Sequence, residues 1–73
     1  MRHNEHGPIH VLKAAMQAKG WTNHQLAEMS GVHQSLIGRY LAGEVDVGLK
    51  NAIRLARVLG VEVLSIVGAK YAA

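Results

Sequence analysis

Residues 31–43 read GVHQSLIGRYLAG. Glycine opens and closes the stretch, and Val32, Ile37 and Tyr40 recur between at helical spacing. Gln34, Ser35 and Arg39 fall between those apolar positions and have no packing task. They share the face that the hydrophobic residues leave free, with Gly38 among them at a cost of roughly 1 kcal/mol of helix propensity relative to alanine. A helix that keeps a glutamine, a serine and an arginine together on its open side is solvated there or reads something there. Its neighbours decide between the two.

On the N-terminal side, TNHQLAEM starts a helix at Thr22, with Gln25 three residues on as the second half of a capping box. Leu26, Ala27 and Met29 are expected to face inward. Ser30 and Gly31 stop this helix, and Gly31 is free to take the left-handed conformation of a tight turn. Two short helices joined in this way form a helix-turn-helix, whose second helix enters a DNA major groove when the motif binds DNA. Gln34 matches adenine N6 and N7, Arg39 matches guanine O6 and N7, and Ser35 reads less selectively. A bare backbone at Gly38 lets the helix sit closer to the bases. Exposed polar residues also serve solubility alone, and the same geometry occurs in domains that never touch DNA, so this stretch by itself admits both readings.

The flanks complete an all-α domain. Ile9, Leu12 and Met16 mark a first helix that opens at Pro8, where a missing N–H costs nothing, and ends at Gly20. After the loop EVDV, with Asp46 or Gly48 as cap, LKNAIRLARVLG forms an amphipathic fourth helix with Leu49, Ala52, Ile53, Ala56 and Leu59 on the inward face. Gly60 closes it. The tail VEVLSIVG suits either a fifth helical turn or, from its β-branched content, a strand; the helix is favoured. The expected organisation is an arm over 1–8, a compact five-helix domain over 9–68 and a tail over 69–73.

Composition narrows the function. At 73 residues and 49% hydrophobic, the chain makes one small domain with an aliphatic core, since Phe is absent and aromatics number three. The absence of cysteine excludes disulfides and thiolate metal sites. No apolar run reaches membrane-spanning length, and MRHNEHGP has no signal-peptide apolar core, so a cytoplasmic protein with no membrane partner is expected. The formal charge of +3 permits a nucleic-acid partner without demanding one. His3, His6 and His10 have metal-ligand spacing but belong to an N-terminal arm with no thiolate partner, so no metal and no cofactor are expected. No acid pair, nucleophile–base spacing or phosphate-cradling loop supports catalysis, and a non-enzymatic protein is expected.

From Leu12 to about Val67 the chain resembles the Cro/cI-type (XRE) helix-turn-helix family of phage repressors and small bacterial regulators. KGWTNHQLAEMSGV, HQSLIGRYLAG and LKNAIRLARVLGV, at their mutual spacing, carry the resemblance jointly. It implies a repressor-like fold, double-stranded DNA as partner, and base reading by Gln34, Ser35 and Arg39, with Leu36 against a thymine methyl. It also implies phosphate contacts at Thr22, Asn23 and His33, and a lesser one at Lys50. His24 lies near those contacts. Two departures stand out. Where the family places an arginine and a glutamate that pair between its first and third helices, this chain has Met16 and Leu41. Where relatives often carry lysine after the third helix, it has Glu44 and Asp46. A transcriptional repressor acting as a homodimer on a palindromic operator, paired through its apolar C-terminal segment, is the expected function. An antitoxin-like or scaffold module that docks a protein through the same tail is the alternative.

Overall fold

The computed structural model describes residues 7–68, which form five helices and no strand. They are α1 (Pro8–Lys19), α2 (Asn23–Ser30), α3 (Gln34–Leu41), α4 (Leu49–Leu59) and the single turn α5 (Val63–Ile66). The ambiguous tail is therefore helical. One turn suffices because its role is to deliver Ile66 and the following Val67, both buried, to the core.

Local chemistry sets the boundaries. Pro8 occupies the first turn of α1. The Thr22 hydroxyl accepts from the Gln25 N–H at 3.2 Å, and the Thr22 N–H donates to Gln25 Oε1 at 2.8 Å, which completes the capping box of α2. Gly31 ends α2 at φ +81°, a conformation that turns the chain sharply toward α3. The imidazole of His33 caps α3, its Nδ1 accepting from the Ser35 N–H at 3.1 Å. Gly48, not Asp46, is the N-cap of α4 and offers no side chain. Asp46 instead lies against Gly68, where an added Cβ would fall on the aspartate's own Cβ. The Gly68 N–H donates to the Val47 carbonyl at 2.8 Å, fastening the end of the domain to the α3–α4 loop.

All five helices feed one aliphatic core. Leu12 and Met16 come from α1, Leu26 from α2, Ile37 and Tyr40 from α3, and Ala52, Leu55, Ala56 and Leu59 from α4. Val32 joins them from the turn before α3 rather than from the helix itself. The Tyr40 hydroxyl accepts from Asn51 Nδ2 at 2.8 Å, so this buried ring leaves no polar atom without a partner. The helix α2 packs on α3 and α4, while α5 closes against α1 and α4.

Two expectations about facing need correction. Met29 is 56% exposed, because Leu26, with Ala27 half-buried beside it, fills the space under α2. On α4, Leu49 and Ile53 are 52% and 41% exposed, and Leu55 takes the inward place given to Ile53. Residues 52, 55, 56 and 59 form one stripe, from which position 53 is rotated by about 100°. Both stripes are apolar in sequence, and only packing against α2 and α5 chooses between them. In the tail, Val61 and Val63 are half-buried and Ile66 and Val67 fully so, which leaves Leu64, 69% exposed, as the exposed large hydrophobe among the described tail residues.

Candidate nucleic-acid interface

The Gly31 turn sets the start of α2 beside the open face of α3. His24, in the first turn of α2, places Nδ1 3.2 Å from Gln34 Oε1 at the head of α3. A Cβ added at Gly38 would lie 3.9 Å from Asn23 Nδ2. The open face of α3 therefore continues into the N-terminus of α2 without a step. Gln34, Ser35 and Arg39 are all exposed on it. Leu36 is half-buried and packs against the core, so its side chain offers an edge rather than a full surface.

Thr22, exposed, and Asn23, half-buried, stand at the head of α2, and His33, exposed, at the head of α3. Neither helix has an acidic residue in its first turn, so the positive end of each backbone dipole is not neutralised locally. The capping box occupies the N–H groups of Thr22 and Gln25, and those of Asn23 and His24, between them, are oriented for an anion. His33 Nδ1 also lies 2.9 Å from Ser35 Oγ, which ties Ser35 to the turn. Lys50 is exposed on the first turn of α4 and has no hydrogen bond or ion pair to this cluster.

Two arrangements were not visible in the sequence. The first is a chain of side chains, with His24 Nε2 3.3 Å from Glu28 Oε2 and Nδ1 on Gln34. It holds Gln34 Oε1 toward α2, yet an amide oxygen has a second lone pair to offer a base. The His24–Glu28 half is an i,i+4 pair readable along one helix, whereas the half that reaches Gln34 needs the turn. The second is an ion pair, Arg39 Nε to Glu44 Oε1 at 3.5 Å. Among the described residues no group of His, Asp or Glu is placed to hold a metal. His10 is exposed on α1, and His3 and His6 lie outside the described residues.

A family model described as "Helix-turn-helix" matches residues 12–66. The chain belongs to the Cro/cI-type (XRE) helix-turn-helix family. No curated protein and no solved structure matches it. This helix-turn-helix family is one of DNA-binding transcription regulators and is typically non-enzymatic. No helix among the described residues is long and apolar enough to cross a membrane.

Proposed function

We propose that this helix-turn-helix protein is a cytoplasmic, sequence-specific repressor of the Cro kind, which inserts α3 into the major groove of double-stranded DNA. The observation that carries this reading is the continuity between the polar face of α3 and the α2 N-terminus, established by His24 on Gln34 and by Asn23 beside Gly38. A merely solvated face has no need of such a neighbour. A groove-reading helix does, because phosphate contacts fix the register in which base contacts are made. Gln34 and Arg39 are the base readers, Ser35 and the edge of Leu36 assist, and Thr22, Asn23 and His33 hold phosphates, with Lys50 an outlying contact. The reading domain spans 9–68, flanked by the arm and the tail.

Selection of bound duplexes from a random pool tests this function. The expected result is a palindromic consensus with half-sites about 34 Å apart, and affinity that falls steeply as salt rises. Failure to enrich any sequence, together with salt-insensitive capture of a protein partner, would instead favour the antitoxin-like reading.

Palindromy requires two copies. Among the described tail residues Leu64 is free to make the two-fold contact, Tyr71 lies outside them, and Leu49 and Ile53 give α4 a second exposed apolar strip. A patch this small buries little area, so pairing is expected to be weak in solution and reinforced on DNA. In sedimentation across a concentration series, Leu64→Lys should abolish self-association. It should also remove cooperativity on the palindrome while leaving binding to one half-site intact. A wild-type protein that stays monomeric and binds the palindrome without cooperativity would refute the pairing.

A further inference from the structure

We propose that Glu44 is a positioning residue for Arg39, one that raises sequence selectivity at the expense of general affinity for DNA. The inference rests on the reading of α3 as the base-contacting helix and goes beyond it, since it assigns a specificity role to an acidic loop residue.

The backbone supplies the first part of the argument. Beyond α3 the Gly43 N–H donates to the Tyr40 carbonyl at 3.1 Å and the Glu44 N–H to the Arg39 carbonyl at 2.9 Å, with Gly43 at φ +76°. These two bonds and the left-handed residue make a Schellman motif, which folds the residue after the glycine back over the last turn of the helix. In such motifs the two positions brought together usually make an apolar contact. Here they are Glu44 and Arg39, and the contact is an ion pair. The backbone of Glu44 is thus held by main-chain bonds, which keeps its side chain within reach of Arg39.

The second part is the chemistry of the guanidinium. Glu44 engages Nε, the inner nitrogen. Arginine has five N–H donors, and the remaining four are on the two terminal nitrogens. A guanine edge asks for two donors toward O6 and N7. Glu44 therefore restrains the side chain without using the groups that read the base, and Arg39 meets the groove with less freedom to lose.

The third part is electrostatic. Both side chains are more than half exposed, at 58% and 61%, so the pair contributes little to folding. Its effect falls on DNA instead. An unpaired arginine at this helix end would reach for any phosphate, and a carboxylate beside it repels phosphates everywhere while leaving a guanine edge accessible. Non-specific binding, which is almost wholly electrostatic, loses more from this than specific binding does.

The test uses the full chain with Glu44→Gln and Glu44→Asp, Arg39→Ala for reference, and thermal unfolding as the folding control. Affinity is measured by titration on the selected consensus, on that site with the Arg39-dependent or the Gln34-dependent base pair replaced, and on random duplex, each over a salt series. For Glu44→Gln the expected result is a gain on random duplex of roughly three- to tenfold with a steeper salt slope. Discrimination at the Arg39-dependent base pair should fall by a similar factor, and discrimination at the Gln34-dependent one should not change. Glu44→Asp should restore part of that discrimination. Unchanged discrimination at the Arg39-dependent pair, or equal gains on specific and random DNA, overturns the assignment while leaving base reading by α3 intact. A larger gain on the specific site than on random duplex also overturns it, since Glu44 would then be withholding Arg39 from DNA. A wild-type consensus that ignores Arg39→Ala overturns the reading of α3 itself and this assignment with it.

Discussion

Met16→Arg alone should lower the unfolding free energy by about 2–4 kcal/mol, enough to leave a domain of this size close to unfolded at room temperature. Met16 is 6% exposed within the shared core, where its thioether fills space between α1 and its neighbours. An arginine there introduces a charge without a partner, and the long stem reduces the penalty only if its head can reach water. Adding Leu41→Glu should recover part of the loss, because Leu41 is half-buried on the last turn of α3 and packs on the same core. The pair of substitutions rebuilds the ion pair that the family often carries at these two places. Urea unfolding of the two single variants and the double variant forms the cycle. Strictly additive losses would mean that the two side chains do not touch. Replacement of both partners by apolar residues is a solution that buried ion pairs permit, since two well-packed hydrophobes often match or exceed the stability of the charged pair they replace.

On DNA the largest effects are expected from Arg39→Ala and Gln34→Ala. Each should cost about 1–3 kcal/mol on the preferred site, which is the worth of one bidentate base contact. Each should also relax the consensus at a different base pair, since the two side chains leave α3 more than one turn apart. Asn23→Ala should behave otherwise and weaken all sequences about equally, because a phosphate contact carries no sequence information. Competitive binding with single-base variants of the consensus distinguishes the two patterns. If Arg39→Ala kept both the consensus and the affinity of the parent, the docking of α3 proposed here would be wrong.

Features fixed by neighbours in the chain were legible from the residues themselves. The Thr22 and Gln25 capping box, the Gly31 turn, and the assignment of Ile37 and Tyr40 to one face of α3 with Gln34, Ser35 and Arg39 on the other depend on spacings of a few residues. The facing of α4 was not legible. Leu55 and Ile53 are equally apolar, and the choice between them is made by packing against α2 and α5. The same holds for Leu64, exposed beside a buried Ile66 within one short turn. At the candidate interface the polar residue types on the open face of α3 were apparent, but their partners within the protein were not. His24 meets Gln34 across ten positions only because the turn has its particular angle. Glu44 meets Arg39 only because Gly43 adopts a left-handed conformation, which a glycine allows but does not announce.

The segment between α3 and α4 is bonded at both of its ends. Glu44 donates its N–H to the Arg39 carbonyl at one end, and Val47 accepts from the Gly68 N–H at the other. Peeling away the last residues of the domain therefore releases more than those residues, because it also frees one anchor of the loop that follows α3. Amide protons that become accessible in a single opening event share one opening free energy once their intrinsic exchange rates are divided out. Gly68 and Glu44, far apart along the chain, should share such a free energy, so that protection of the Gly68 amide gauges how firmly the far end of α3 is held.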